Sequence, residues 1–179
     1  IMVRWTSTTC CVSTRNVRRV KRRRRRHSAC REEVGIDGII IPDVPFEESA
    51  EFAPSFESRG IDYISMIAPT SKARIREIAA KAKGFLYVVS SLGVTGERQE
   101  IETDLKSMLA QVRAAKPELP AAIGFGISTP EQAKSMGAIA DGVIVGSAIM
   151  RIIGEKGKEA ETELAAFVRE MKAAANTFF

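Results

Sequence analysis

Short apolar runs alternate with amphipathic stretches from residue 35 to the end of the chain. Residues 36–41 form a β-branched run, typical of strands buried on both faces of a parallel sheet. Further runs predict strands at 61–67, 85–89, 121–124 and 142–145. Because helices are predicted between these strands, the pattern indicates an α/β fold whose parallel strands are joined by right-handed crossovers.

The segments between these runs carry apolar residues at helical spacing. The predicted helical faces are Ile75, Ile78, Ala79 and Ala82, then Leu105, Met108, Leu109 and Val112, then Leu164, Phe167, Val168 and Met171. Shorter helices are expected at 47–58, 130–136 and 148–153. Thr70 or Ser71 is the expected cap of the first face, and Pro117 and Pro120 end the second.

Two apolar strands near the end of the chain run through glycine directly into helix starts. After the first, Gly126 precedes Thr129, which is predicted to form a capping box with Gln132. After the second come Gly146 and Ser147. Free N–H groups at a helix N-terminus favour an anion, and a β/α barrel holds phosphate at such turns after its last two strands. We therefore predict a phosphate site here rather than two ordinary tight turns.

The position of these glycine turns separates two parallel-sheet architectures. A doubly wound, dinucleotide-binding sheet has its glycine-rich turn after its first strand, where this chain has Asp43-Val44-Pro45. A β/α barrel has its phosphate-binding turns after the last two strands, beside an additional short helix. The sequence therefore favours the barrel, and we assign residues 35–179 to it.

Net charge divides the chain into two parts. Residues 1–34 contain eleven Lys and Arg and two acids, a net charge of +9, whereas residues 35–179 contain 16 basic and 20 acidic residues, a net charge of −4. The three cysteines, the single His and the single Trp also lie in the first part. The second part therefore has no disulfide framework, which suits a reducing compartment. No apolar run has the length that a membrane span needs.

Residues 1–34 lack apolar periodicity and contain the uninterrupted run Arg22–Arg26. Like charges at this density repel one another in a packed structure, so we expect the segment to be mostly disordered. Its origin is open between a fragmentary or frame-shifted coding sequence, a transit peptide, and a nucleic-acid-binding or nuclear-import tail. We favour the first, because the chain starts at Ile1. Nucleic-acid binding through residues 15–26 lacks an aromatic or groove-reading partner elsewhere in the chain.

Several motifs occur together in the order found in one enzyme family. They are Gly35-Ile36-Asp37-Gly38, Pro42-Asp43-Val44-Pro45 with Glu47-Glu48-Ser49, Tyr87-Val88-Val89-Ser90, Gly93-Val94-Thr95-Gly96, Gly124-Phe125-Gly126-Ile127-Ser128 with Pro130-Glu131-Gln132, and Gly146-Ser147-Ala148-Ile149. In this combination the chain resembles the tryptophan synthase alpha chain family over residues 33–179. The resemblance implies a partial TIM (β/α)8 barrel, strands four to eight with their helices. It also implies a lyase of tryptophan biosynthesis that cleaves indole-3-glycerol phosphate to indole and glyceraldehyde 3-phosphate.

The resemblance assigns substrate-binding roles to eight residues. The residues that would hold the substrate phosphate are Gly96, Phe125, Gly126, Gly146 and Ser147. Tyr87 and Phe125 would flank the substrate, and Ile41 would lie in the region of the indole pocket. Thr95 would belong to a mobile loop that closes over the site, and no metal is expected.

The family's two catalytic carboxylates have no counterpart in this sequence. They are a Glu on the second barrel strand and an Asp in the loop after it, whereas the resemblance begins at the fourth strand. Cleavage needs such a group to protonate the indole ring and remove a hydroxyl proton. Asp43 is not assigned this role, because an Asp before Val-Pro at a strand end is more often a turn or capping residue. We therefore assign no catalytic residue and expect a truncated, inactive form.

Two other functions stay open at this point. One is a non-catalytic barrel remnant that binds only phosphate or a partner. The other is a different phosphate-binding barrel enzyme of the same pathway, against which the Gly-Val-Thr-Gly motif at 93–96 argues.

The resemblance also implies a partner and a cofactor arrangement. No cofactor is expected in this chain, because pyridoxal phosphate belongs to the beta subunit, the expected partner in a hetero-tetramer. Neither a membrane nor nucleic acid is an expected partner. We expect a cytoplasmic location, or a plastid if residues 1–31 are a transit peptide.

Overall fold

A computed structural model describes residues 2–6, 9–13, 36–71, 73–90, 98–124 and 126–175, with backbone only at 2–6, 9–13 and 98–103. The strands are β1 (Met2–Thr6), β2 (Thr9–Ser13), β3 (Gly38–Ile39), β4 (Asp62–Tyr63), β5 (Met66–Ile67), β6 (Leu86–Val89), β7 (Ala121–Gly124) and β8 (Gly142–Ile144). The α-helices are α1 (Ser49–Glu57), α2 (Ile75–Lys81), α3 (Arg98–Ala115), α4 (Pro130–Gly137), α5 (Ser147–Lys156) and α6 (Glu161–Ala175). Short 3₁₀ turns lie at Phe46–Glu48, Pro69–Ser71 and Gly157–Glu159.

β3 pairs parallel with β4, and β5, β6, β7 and β8 pair parallel in sequence order. β4 and β5 are the two halves of the strand predicted at 61–67, interrupted at Ile64 and Ser65. The interruption divides the ladder into two four-stranded sheets, with the orders β2-β1-β3-β4 and β5-β6-β7-β8. The strand order never reverses, as it does at the switch point of a doubly wound sheet. The predicted α/β fold with parallel strands is confirmed.

Successive residues of the parallel strands face two different layers, as the strand period of two requires. One layer packs under the helices and contains Ile67, Leu86, Val88, Ala121 and Ile123. The opposite layer, here called the Tyr87 face, contains Ile40, Ile64, Met66, Phe85, Tyr87, Ala122 and Ile144. Both layers are apolar, which explains why the strands are continuous apolar runs rather than alternating ones.

The predicted helical faces are the buried ones. Every residue of the first two faces is buried, whereas in the third Met171 is buried and the other three residues are partly buried. The predicted cap of the first helix is wrong: Arg74 occupies the N-cap of α2, and its side chain makes no capping hydrogen bond. The hydroxyl of Ser71 instead accepts a hydrogen bond from the Ala68 N–H, at 3.2 Å, within the preceding 3₁₀ turn. None of the helices in the described part of the chain is long and apolar enough to cross a membrane.

β1 and β2 are an antiparallel pair inside the segment that we expected to be disordered. β1 also pairs antiparallel with β3, where Met2 lies opposite Ile39 and Val3 opposite Gly38. For residues 2–6 and 9–13 the expectation is therefore wrong. The charge repulsion on which it depended does not reach them, since Arg4 is their only charged residue. Residues 14–35, including the arginine run, lie outside the described residues.

Candidate functional site

The two glycine turns leave the same edge of the sheet. Gly124 at the end of β7 lies opposite Ile144 at the end of β8. Gly126 and Gly146 follow this pair by two residues each, so both turns begin at the same level along the strands. This is the carboxyl edge of parallel strands, where ligands of α/β proteins bind.

The side chain of Tyr87 lies across β7 directly below these turns. A Cβ built on Gly124 would overlap the Tyr87 hydroxyl, lie 2.6 Å from Tyr87 Cζ, and lie 3.0 Å from the Cβ of Ile144. The absence of a side chain at Gly124 is therefore what lets the phenol extend towards β8. Burial raises the pKa of Tyr87, so its hydroxyl is neutral near pH 7 and can both donate and accept a hydrogen bond.

We expect Gly124→Ala to lower the free energy of unfolding by about 1–3 kcal/mol, because its methyl group overpacks against Tyr87. Gly142→Ala is the matched control, since its Cβ would meet only Ala122, whose Cβ lies at 3.4 Å, an ordinary contact. Urea denaturation of both variants measures the difference. Adding Tyr87→Ala to Gly124→Ala should recover part of the loss in a double-mutant cycle. Equal unfolding energies for the two glycine variants would contradict the packing described here.

The N-terminus of α4 is occupied by the chain's own groups. The predicted capping box is confirmed: Thr129 Oγ1 accepts from the Gln132 N–H at 3.3 Å, and Gln132 Oε1 accepts from the Thr129 N–H at 3.2 Å. Gln132 Oε1 also accepts from the Ser128 N–H at 2.8 Å. Hydrogen bonds from its own backbone and from Thr129 lower the pKa of Glu131 in this first turn. A carboxylate and two side-chain caps leave little here to attract another anion.

The N-terminus of α5 has the opposite character. Gly146 is its N-cap residue and makes no side-chain capping hydrogen bond, and no acid occupies the first turn. Gly146 and Ser147 are exposed. A Cβ on Gly146 would meet no atom within 4 Å among the described residues. The first N–H groups of a helix point away from its body without intrahelical partners, so this end can receive an anion.

Gly126 lies in the other turn at this edge, after β7. Its φ is +77°, in the left-handed region that side chains other than glycine rarely adopt. Gly126 is exposed, so its backbone is open to a ligand. Of the predicted site residues, the structure therefore brings Tyr87, Gly126, Gly146 and Ser147 to one edge. The other predicted positions Thr95, Gly96 and Phe125 lie outside the described residues.

Ile41 is not brought together with Tyr87. It is buried in the helix-facing cluster with Ile36, Ile39, Ile61 and Tyr63, against α1. Its neighbour Ile40, which is 0% exposed, belongs to the Tyr87 face. Ile40, and not Ile41, therefore belongs to the layer that contains Tyr87, and the predicted role of Ile41 in the indole pocket region stays a prediction. A run that is apolar on both faces does not say which residue faces which layer; only strand pairing does.

The carboxylates near the sheet lie mostly at the wrong edge for this site. Asp37, Asp62 and Asp141 are at the amino ends of β3, β4 and β8. Asp141 is a strand-entry residue, as its sequence position indicates: its Oδ2 accepts from the Ala121 N–H at 2.9 Å. Asp43 is at the carboxyl edge but exposed in the turn after β3.

Glu47, near the same turn, forms an ion pair with Arg74. Hydrogen bonds from its own backbone and from Arg74 lower the pKa of Glu47. Among the described residues, no group of three or more His, Cys, Asp or Glu is placed to hold a metal ion.

Comparison with known proteins gives a family. The profile of the tryptophan synthase alpha chain family matches residues 20–177. The chain belongs to the tryptophan synthase alpha chain family. It is 50% identical over 144 residues to the tryptophan synthase alpha chain of Lactiplantibacillus plantarum, covering 80% of this chain and 54% of that protein. With that of Lacticaseibacillus casei it shares 45% over 142 residues, covering 79% and 53%. The chain spans about half the length of these relatives.

The fold is similar to parts of solved structures of tryptophan synthase alpha subunits. A mutant alpha subunit from the hyperthermophile Pyrococcus furiosus superposes with a TM-score of 0.70 at 31% identity, covering 87% of this chain and 62% of that one. The alpha subunit from Campylobacter jejuni gives 0.67 at 28% identity, with coverages of 86% and 58%. The fold and the family therefore agree with the motifs from which the resemblance was drawn.

Proposed function

We propose that β3 to β8, with β4 and β5 counted as one interrupted strand, are strands four to eight of a TIM barrel and that its carboxyl edge binds the phosphate of indole-3-glycerol phosphate. The observation that carries this proposal is the N-terminus of α5, which is uncapped, free of acids and exposed beside Gly126. In a β/α barrel, the phosphate site is formed by the loops after the last two strands and the N-terminus of a short helix. Parallel pairing in sequence order within each sheet, β3 with β4 and then β5 to β8, supports the barrel assignment.

The two ends of the substrate match the two chemical parts of this edge. The phosphate is held by backbone N–H groups of Gly126, Gly146 and Ser147, with Gly96 and Phe125 as further contacts from the family resemblance. The indole ring lies towards the Tyr87 face, the apolar layer that contains Tyr87 and Ile40. Thr95 belongs to the loop that closes over them. The free N–H groups at a helix end replace hydrogen bonds that a phosphate loses with water. An apolar layer is the favourable place for an aromatic ring.

The reaction we propose for the intact enzyme is aldol cleavage to indole and glyceraldehyde 3-phosphate, without a cofactor in this chain. We assign no described carboxylate as its acid/base group. At this edge Asp43 is exposed in a turn and Glu47 is paired with Arg74, and the other aspartates beside the strands, Asp37, Asp62 and Asp141, lie at the opposite edge. We therefore propose that this chain binds substrate but does not cleave it alone. A phosphate-binding remnant is the second candidate function, and this same distribution of carboxylates favours it.

The partner we propose is the tryptophan synthase beta subunit, which would supply pyridoxal phosphate and take up indole. A cytoplasmic location is proposed with it, or a plastid if residues 1–31 are a transit peptide. Both follow from family membership rather than from contacts seen in this chain.

Glycerol 3-phosphate is the direct probe of the proposed site, with glycerol as its uncharged control. We expect saturable shifts of the backbone amide resonances of Gly126, Gly146 and Ser147 on titration with glycerol 3-phosphate, because a phosphate oxygen accepts from these groups. Glycerol should cause none. Amide shifts confined to the basic residues 15–26 would indicate non-specific attraction to the arginine run and would contradict the proposal.

A further inference from the structure

Ser90 lies directly at the end of β6 and is 0% exposed. Its hydroxyl donates to the carbonyl oxygen of Gly124 at 3.1 Å. Its backbone N–H donates to the same oxygen at 3.0 Å. The N–H bond continues the β6–β7 ladder, in which Val89 lies opposite Gly124. The hydroxyl bond is additional to the ladder, and sheet formation does not require it.

The turn that starts at Gly124 is rich in glycine. Two of its first three residues are glycines, and Gly126 has a φ of +77°. Glycine has the widest choice of backbone conformations, so a segment with two of them loses more entropy when it is held in one conformation. The Gly124 carbonyl belongs to the peptide through which the chain enters this turn. A second hydrogen bond to that oxygen therefore restricts the direction in which the turn starts.

We propose that Ser90 is a positioning residue of the phosphate site, holding the Gly124 peptide so that the Gly126 N–H points at the ligand. Ser90 itself does not touch phosphate, since its side chain is buried in the sheet. The inference rests on the proposed phosphate site and adds to it a residue that acts through Gly124. Without the hydroxyl bond, the ligand would have to order the turn when it binds, and affinity would fall by that cost.

Ser90→Ala is the informative variant, because it removes the hydroxyl and leaves the backbone N–H on the Gly124 oxygen. Ser65→Ala is its matched control. Ser65 is the other buried polar residue of the described core, at 9% exposure, and its backbone carbonyl accepts from the Tyr87 N–H rather than bonding to Gly124. Ser90→Thr keeps the hydroxyl and serves as the conservative rescue.

Two measurements on the full chain separate positioning from stability. Calorimetric titration with glycerol 3-phosphate should show Ser90→Ala weakened by about threefold to tenfold, the size of one net hydrogen bond, while Ser65→Ala stays near the parent and Ser90→Thr recovers most of the loss. Hydrogen–deuterium exchange of the unliganded protein should rise at Gly126 and Ile127 in Ser90→Ala only.

Each other outcome has a defined meaning. Parent-like affinity and exchange in Ser90→Ala overturn the proposal. If Ser90→Ala loses affinity only as far as thermal unfolding shows a smaller folded fraction, then Ser90 stabilises the fold without positioning the turn, and the proposal is also overturned. If the parent itself does not bind glycerol 3-phosphate while exchange at Gly126 still rises in Ser90→Ala, the proposed function fails and the positioning of the turn by Ser90 stands.

Discussion

Mixed with an excess of tryptophan synthase beta subunit and indole-3-glycerol phosphate, the purified chain is expected to release no indole above background. Cleavage needs a group that protonates the indole ring and one that removes a hydroxyl proton. General acid–base groups contribute on the order of a hundredfold to ten-thousandfold each. At the carboxyl edge, the described carboxylates after β3 are Asp43, exposed in a turn, Glu47, paired with Arg74, and Glu48, exposed at the N-cap of α1. If this chain supplies neither group, as we propose, the rate falls below what an indole assay detects.

The Lacticaseibacillus casei alpha chain, 45% identical over the shared region, is a suitable positive control in this assay. Binding of glycerol 3-phosphate by the same preparation shows that the site is folded. Indole release near that of the control would contradict the expectation. If that release were lost in Asp43→Asn, then Asp43 would be the acid/base group and our assignment of it as a turn residue would be wrong.

Gly146→Val is expected to lose most of the affinity for glycerol 3-phosphate, about a hundredfold or more, without unfolding the protein. The two isopropyl methyl groups would occupy the open space in front of the first turn of α5, where a Cβ meets no atom within 4 Å. Two lost charge-assisted hydrogen bonds correspond to about 3 kcal/mol, or roughly a hundredfold in the dissociation constant. Because nothing in the described structure is displaced, the urea midpoint should stay close to that of the parent.

Gly154→Val is the matched control, because Gly154 lies in the same helix and its Cβ would also meet no atom within 4 Å. Calorimetric titration should give Gly154→Val the affinity of the parent. Gly126→Val is a less clean variant, since valine at a φ of +77° strains the backbone as well as blocking the ligand. Parent-like affinity in Gly146→Val would mean that the phosphate does not approach the N-terminus of α5.

The helices were the part of the fold most accessible from sequence. The spacing of Ile75, Ile78 and Ala79, and of Leu105 and Leu109, predicted which sides of α2 and α3 are buried. Helical periodicity is a local property that survives without knowledge of the partner surface. The cap of α2 could not be predicted in the same way. The Ser71 hydroxyl accepts from the Ala68 N–H instead of from an N–H of α2, and the sequence does not show which of the two donors it will bond to.

The sequence also predicted where the strands lie, but not which side of the sheet each strand residue faces. The apolar run at 36–41 predicted β3, yet it gave no reason to prefer Ile40 over Ile41 for the Tyr87 face. Pairing with β4 fixes that choice. The expectation of disorder failed for residues 2–6 and 9–13 because the charge run lies elsewhere in the segment. These residues are almost uncharged, and β1 pairs with β3.

By itself, the sequence determined that this chain is an α/β protein of alternating strands and helices with two glycine turns at its end, because these depend on local spacing and glycine content. Only the tertiary structure distinguished the two turns. The first is filled by Thr129, Gln132 and Glu131, whereas the N-terminus of α5 is left open. Whether a helix end is available to an anion depends on which nearby groups already bond to it and on the space in front of it, and both are decided by three-dimensional packing.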